Sequence, residues 1–232
     1  MSAEKTALIV GASRGLGFSL AQEFLKRGWK VVGTVRGNKP TKLHELANQA
    51  KGMLEIESVD ITNVDQIIAL KAHLKNKTFD LLFVNAGVAN ARYETIGEVS
   101  TEEFTRVMVT NALSVMRVVE QLADNVIPGG TIGVMSSGQG SVADNETGGF
   151  EVYRASKAAL NTLMRSFAAR RAQDRSLVLM APGWIKTDMG GPEAKFTVEE
   201  TIPNIVDTII AQEGKKGSSP FMVGDSESKM KA

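Results

Sequence analysis

The run Thr6-Ala7-Leu8-Ile9-Val10-Gly11-Ala12-Ser13-Arg14-Gly15-Leu16-Gly17 decides how the chain folds. A short apolar stretch gives way to three glycines within seven positions, and Leu20, Ala21, Phe24 and Leu25 follow at helical spacing. Strand, tight turn and helix in that order form the first unit of a nucleotide-binding sheet. Glycine lets the chain turn sharply and lets backbone N–H groups approach a pyrophosphate. The helix N-terminus adds unpaired donors and the positive end of its dipole. The spacing is G-x-x-x-G-x-G rather than G-x-G-x-x-G. Three glycines alone would be merely a turn; after a first strand and at the head of a helix they read as a phosphate cradle. Its members are Gly11, Ser13, Arg14, Gly15, Leu16 and Gly17.

Outward from that unit, Val/Ile/Leu runs alternate with longer helical patterns. Strands are expected at Thr6–Val10, Lys30–Val35, Met53–Ser58, Asp80–Val84, Thr131–Met135, Leu177–Met180 and Phe221–Val223. Helices are expected at Leu16–Arg27, Thr41–Ala50, Val64–Lys75, Thr101–Ile127, Val152–Arg171 and Val198–Gln212. Most of the strand runs do not alternate apolar with polar, as strands covered on both faces do not. Regular strand–helix alternation predicts an α/β doubly wound Rossmann fold, a mostly parallel seven-stranded sheet with helices on both faces. Residues 1–232 read as a single dinucleotide-binding domain, with Asp225–Ala232 as a polar, frayed tail.

Composition narrows the chemistry. Hydrophobic content of 43%, charged content of 23% and a net charge of +1 suit a globular protein and give no sign of a nucleic-acid surface or a membrane patch. The N-terminal apolar run is too short for a signal peptide, so a cytoplasmic protein is expected. There are no cysteines, which removes disulfides, thiolate catalysis and cysteine-ligated metals. The two histidines, His44 and His73, fall in polar helical stretches and are expected at the surface. A histidine-based triad or zinc site is therefore not expected, and no metal site is.

The second strand sets the cofactor. Folds that prefer NAD place Asp or Glu about 20 residues past the glycines, on the ribose 2′-hydroxyl. Here the chain reads Gly33-Thr34-Val35-Arg36-Gly37, with no carboxylate. Arg14 and Arg36 would put two guanidinium groups beside the adenosine ribose, which suits a 2′-phosphate. The alternative is two solvated arginines on loops. The missing acid favours NADP(H).

The reactive groups lie further along. Tyr153 and Lys157 are one helical turn apart, so both side chains leave the same face and form a compact acid/base pair. A free phenol has a pKa of about 10 and serves poorly near neutrality unless that value falls. A nearby ammonium and a positive nicotinamide ring both favour the phenolate, so a lowered value is expected. Ala159, Leu163 and Phe167 are expected to pack this helix. Asn111 continues the apolar stripe Phe104, Val107, Met108, Val115, Val118 and Leu122, which places its amide on a buried face in need of partners.

Taken in order, the glycine turn, Asp60-Ile61-Thr62, Asn85-Ala86-Gly87, Asn111, Ser136-Ser137, Tyr153-x-x-x-Lys157 and Pro182-Gly183-Trp184-Ile185-Lys186-Thr187 resemble the short-chain dehydrogenase/reductase family from Thr6 to about Met189. Within it, the blocks around Ser137, Tyr153 and Pro182 resemble sniffer-type carbonyl reductases and C-factor-like proteins. The resemblance implies an NADP(H)-dependent oxidoreductase acting on a small carbonyl or alcohol. Ser137, at a strand end, would donate to the substrate oxygen, with Ser136 the adjacent alternative. Tyr153 would exchange the proton, and Lys157 would also hydrogen-bond the nicotinamide ribose. Asn111 would hold a water that links Lys157 to solvent, or would simply tie down a kink. Asp60 and Ile61 would sit by the adenine; Asn85, Ala86 and Gly87 would pass under the ribose. Pro182, Gly183, Trp184, Ile185 and Thr187 would wall the nicotinamide. The Ser137–Tyr153 gap of sixteen is longer than is common in the family, and the extra residues near Asp144–Phe150 are expected to bulge over the substrate mouth. The helices Thr101–Ile127 and Val152–Arg171 commonly make a seam in this family, which implies a homodimer. The C-factor likeness keeps open a second reading, an NADP(H)-binding regulatory protein with vestigial catalysis.

Overall fold

Strands that are apolar at almost every position need cover on both sides. The computed structural model describes residues 4–171, 174–215 and 221–223; the tail Asp225–Ala232 lies outside the described residues. In it β1 (Thr6–Val10), β2 (Lys30–Val35), β3 (Leu54–Ser58), β4 (Phe79–Val84), β5 (Val126–Met135), β6 (Ser176–Met180) and β7 (Phe221–Val223) form one sheet. The order is β3-β2-β1-β4-β5-β6-β7, and every pairing is parallel. Successive side chains along a strand point to opposite faces. Leu8, Val10, Leu82, Val84, Ile132 and Val134 therefore enter one apolar core, and Ala7, Ile9, Leu81 and Phe83 enter another.

Helices complete the two layers. α1 (Gly15–Lys26), α2 (Lys42–Gln49) and α7 (Val198–Ile210) cover one face through Leu20, Phe24, Leu43, Ile202 and Ile205. α3 (Val64–His73), α5 (Val115–Leu122) and α6 (Glu151–Arg171) cover the other through Ile67, Leu70, Val118, Leu122, Leu160, Met164 and Phe167. Each large side chain so buried contributes about 1.5–3 kcal/mol. The strand order reverses between β1 and β4, which opens a crevice at their carboxyl ends.

Two expectations fail locally. Thr101–Ile127 is not one helix. It divides into α4 (Thr101–Met108), a π-helical turn (Val109–Ser114), α5 and a single 3₁₀ turn (Ala123–Asn125), and Val126 already belongs to β5. Pro128 offers no N–H and biases Ile127 toward an extended backbone. Asn125 donates to the carbonyls of Leu74 and Lys77 at 2.9 and 3.0 Å, which pins the helix end against the end of α3. The second failure is one of phase. Ser156, Lys157, Leu160, Met164 and Phe167 form the buried face of α6, whereas Leu163 is 41% exposed. On the preceding element Phe104 is 38% exposed rather than part of the core stripe.

His73 is exposed beside Glu57, while His44 is half-buried and accepts from the Thr41 N–H at the start of α2. Among the described residues no helix is long and apolar enough to cross a membrane, and no three His, Asp or Glu side chains cluster as metal ligands would.

Candidate active site

The glycine turn is built into the sheet before it meets any ligand. The N–H groups of Gly11 and Ala12 donate to the Thr34 hydroxyl and carbonyl at 3.0 and 2.8 Å, which fixes the start of the turn on β2. Gly17 then packs so tightly that a Cβ there would lie 2.0 Å from the Gly11 carbonyl oxygen. Arg14 occupies the N-cap of α1 with an extended backbone and no side-chain cap, and the first turn carries no acid. The helix start is left without a side-chain cap and with no acid opposing its positive dipole end, beside the glycines of the turn. These residues fit a pyrophosphate. The Asn85 amide donates to the Gly11 carbonyl at 3.0 Å. Its side chain thus props the turn.

At the outer end, Asp60 accepts from the Thr62 N–H and hydroxyl at 2.9 and 2.7 Å, making the turn that leads into α3. Burial pushes its carboxyl up, but the two Thr62 bonds and the positive charge of Arg36 outweigh this and leave it lowered. Ile61 is buried behind it. Arg36 stands exposed at the end of β2. Arg14 is engaged elsewhere. Its Nη1 reaches across the crevice to Asp188 Oδ2 at 3.3 Å, with both side chains more than three-quarters exposed. Such a surface pair is worth about 0–1 kcal/mol and yields easily to a stronger anion.

The inner end of the crevice gathers Ser137, Tyr153, Lys157 and Asn111. Ser136 and Ser137 follow β5, and the structure separates them. Ser136 is buried and donates to Asn161 Oδ1 at 2.6 Å. Ser137 hydrogen-bonds the phenol of half-buried Tyr153. Burial pushes that phenol up, and the Ser137 bond opposes it without reversing it. The lowered value expected of this pair is thus not found: desolvation of the phenolate dominates. Lys157 is itself 3% exposed, and burial alone lowers its pKa to about 8. Its Nζ donates to the Met135 carbonyl at 2.8 Å and lies 5.6 Å from the Tyr153 ring centroid.

Asn111 sits fully buried in the π-helical turn, a distortion that recurs at functional sites. Its Oδ1 accepts from the Val88 N–H at 2.8 Å, and its Nδ2 donates to the Val88 carbonyl at 2.8 Å and to Ser156 Oγ at 2.9 Å. Ser156 in turn donates to the Tyr153 carbonyl at 2.7 Å. The side chain therefore clamps the β4 loop to the turn of α6 that carries Tyr153. Gly87 lies alongside both groups: a Cβ there would lie 3.4 Å from Asn111 Oδ1 and 3.6 Å from Lys157 Nζ, ordinary contact distances. Sequence reasoning missed Asn90, which is buried and whose Oδ1 accepts from the Tyr153 N–H at 3.2 Å. No motif distinguishes it from a polar loop residue.

The stretch from Pro182 folds back on itself as a wall. Trp184 Nε1 donates to the Gly190 carbonyl at 2.8 Å, and the Thr187 hydroxyl accepts from the Gly190 N–H at 3.1 Å. Gly183 takes a φ of +86°, and Ile185 is buried beneath. Ala86 lies against the cradle, its N–H bonded to the Val10 carbonyl at 3.2 Å.

Comparison with known proteins agrees with this architecture. The family model described as short chain dehydrogenase matches residues 5–197. A solved structure described as a short-chain dehydrogenase/reductase from Burkholderia multivorans, with bound NADP, is 53% identical. It superposes with a TM-score of 0.95 over 99% of this chain and 100% of that one. The carbonyl reductase Sniffer of Drosophila melanogaster is 28% identical, with a TM-score of 0.88 over 98% and 99% of the two chains. An NADPH-dependent pterin aldehyde reductase of Arabidopsis thaliana is 35% identical over 81% of this chain and 77% of its own length.

Proposed function

The chain belongs to the short-chain dehydrogenase family, and from that premise we propose that it moves hydride between NADP(H) and the carbonyl or alcohol carbon of a small molecule. The observation that carries this reading is the convergence of Ser137, Tyr153 and Lys157 in one crevice whose other end is an uncapped, glycine-lined helix start. The Burkholderia relative with bound NADP supports the choice of cofactor, as do the absence of an acid after β2 and the exposed Arg36.

When bound, the nicotinamide supplies or accepts the hydride. Gly11, Ser13, Gly15, Leu16 and Gly17 hold the pyrophosphate. Arg36, with Arg14 released from Asp188, meets the 2′-phosphate. Asp60, Ile61, Asn85, Ala86 and Gly87 shape the adenosine side, and Pro182, Gly183, Trp184, Ile185 and Thr187 shape the nicotinamide side. In the reductive direction the Ser137 hydroxyl donates to the substrate oxygen as negative charge develops there. Tyr153, kept protonated by burial, delivers its proton to that oxygen. Lys157 holds positive charge beside the phenol and favours the phenolate that remains. Asn111 and Asn90 fix the turn on which Tyr153 rides. Phe104, Leu113 and Leu163 leave apolar surface on α4, the π-helical turn and α6, where a homodimer would form; light scattering on Leu163→Glu tests that contact.

The deciding experiment titrates NADPH and NADH by fluorescence, then follows NADPH oxidation with a panel of ketones, aldehydes and quinones, with Tyr153→Phe as control. Turnover that depends on Tyr153 supports the reading. Tight NADPH binding with no turnover would instead point to a regulatory protein.

A further inference from the structure

Arg92 was no part of any motif, yet it stands at the mouth of the crevice inside a cage of rings. Its Cζ lies 5.3 Å from the ring centroid of Tyr93, 5.6 Å from that of Phe150 and 5.7 Å from that of Trp184. The rings come from three separate segments: the loop after β4, the loop before α6 and the loop after β6. Phe150 also meets Tyr153 edge-on, ring centroids 6.1 Å apart, so one ring touches both the guanidinium and the phenol.

The cage is tied down. The Phe150 N–H donates to the Arg92 carbonyl at 2.8 Å. Arg154 donates to the carbonyls of Gly149 and Gly148 at 2.9 and 3.1 Å, and these bonds hold Phe150 at a φ of +51°, which a side chain rarely adopts. Trp184 is fixed through its indole N–H. The lengthened stretch before Tyr153 thus delivers an aromatic ring to this place. Backbone strain that surrounding bonds maintain is characteristic of ligand-facing segments.

The guanidinium itself is unspent. Among the described residues no carboxylate pairs with Arg92, and no hydrogen bond leaves its side chain. Two acids beside the cage residues in sequence are engaged elsewhere: Glu94 with Asn90, and Glu151, next to Phe150, with the Ile96 N–H. Ring contacts use the charge and the faces of a guanidinium but not its forked N–H edge, which matches a carboxylate in bidentate fashion. We propose that Arg92 receives a carboxylate on the substrate, so that preferred carbonyl compounds carry this anion across a flat apolar spacer from the reacting carbon. This rests on the reductase reading of the site and names its substrate class.

The test compares 4-carboxybenzaldehyde with its neutral methyl ester on the NADP⁺-loaded protein, and then in NADPH turnover. Binding is read from tryptophan fluorescence, since Trp184 is 46% exposed in the cage while Trp29, the other tryptophan, is buried. The acid should bind about tenfold or more tighter than the ester, as a charge-assisted bond provides, and the gap should narrow at high salt. Arg92→Gln should abolish the preference, expressed in KM rather than kcat, and Arg92→Lys should retain part of it. Equal binding of acid and ester by the wild type, or a preference that survives Arg92→Gln, overturns the proposal. If acid and ester are reduced equally, the reductase reading stands and this one falls. If the acid binds through Arg92 and neither compound is reduced, the anion site stands and the reductase reading falls.

Discussion

The Nζ of Lys157 lies 5.6 Å from the ring centroid of Tyr153, yet both groups are displaced by burial toward their neutral forms. Burial raises the phenol and lowers the ammonium, so the charge that would activate the pair is costly until a ligand arrives. In the cofactor-free protein Tyr153 should therefore ionise above 10, with only the Ser137 bond pulling the other way. A Tyr93→Phe variant leaves Tyr153 as the single phenol of the chain, and its ultraviolet titration reads the value directly. Ionisation well below 10 without cofactor would mean that Lys157 outweighs desolvation after all. NADP⁺, by adding positive charge nearby, should move the midpoint down.

Lys157 should leave its mark on stability as well. Its pKa falls from 10.5 unfolded to about 8 folded. Between those values the unfolded chain holds a proton that the folded chain does not, so this group makes stability rise with pH. The burial penalty is full below pH 8 and gone above pH 10.5; the whole shift is worth about 3 kcal/mol at most. Urea unfolding of wild type and Lys157→Met at pH 7 and pH 9.5 isolates the contribution. The wild type should gain on the variant as pH rises, and a constant difference would show that Lys157 keeps its ordinary pKa.

The two adjacent serines should separate by phenotype. Ser137→Ala should lower kcat by about a hundredfold through loss of an oxyanion donor, and Tyr153→Phe by about 10²–10⁴ through loss of the proton donor. Ser136 donates its hydroxyl to Asn161, so Ser136→Ala should cost about 1 kcal/mol of stability and far less rate. Steady-state kinetics paired with thermal melts distinguish these outcomes, and the reverse pattern would move the role from Ser137 to Ser136.

The fold and the glycine turn were legible because they rest on local signals. Apolar runs announce buried strands, glycines announce close backbone approach at Gly11 and Gly17, and an i,i+4 spacing puts Tyr153 and Lys157 together. What escaped depends on partners distant in sequence. The end of α5 is decided by Asn125 reaching the carbonyls of Leu74 and Lys77. The phase of α6 is decided by Ser156 and Lys157 turning inward to Asn111 and Met135. Tyr153 looked activated because its neighbour's charge is visible in sequence and the depth of its burial is not. Arg92 gave no signal because its three rings come from three loops.

Gly17 offers a severe test of the cradle. A Cβ at that position would meet the Gly11 carbonyl oxygen at 2.0 Å and Asn85 Nδ2 at 2.6 Å. Backbone cannot yield as a flexible side chain would, so Gly17→Ala must open the turn. It should cost about 1–3 kcal/mol of stability and weaken NADPH binding more than tenfold. Gly15 has open space around it and a φ of +56°, so Gly15→Ala should cost only the backbone strain of about 1 kcal/mol. Thermal melts and fluorescence titration measure both. An unaffected Gly17→Ala variant would mean the turn is looser than this packing implies.

The arginines bear on cofactor choice in unequal degree. Arg36 stands exposed near Asp60 with no ion-pair partner among the described residues, whereas Arg14 is held across the crevice by Asp188. To meet a 2′-phosphate, Arg14 must give up a contact worth about 0–1 kcal/mol, and Arg36 gives up none. Arg36→Ser should therefore weaken NADPH binding about tenfold or more, the worth of a charge-assisted bond, while NADH binding changes little. Asp188→Asn frees Arg14 and should tighten NADPH binding severalfold at most, an effect that vanishes in moderate salt as exposed charges are screened. Titrations of both dinucleotides at two ionic strengths read all of this at once. If Arg36→Ser weakens NADH as much as NADPH, Arg36 is not addressing the 2′-phosphate; if Asp188→Asn weakens NADPH binding, the bridge to Arg14 helps to close the crevice over the cofactor rather than competing with it.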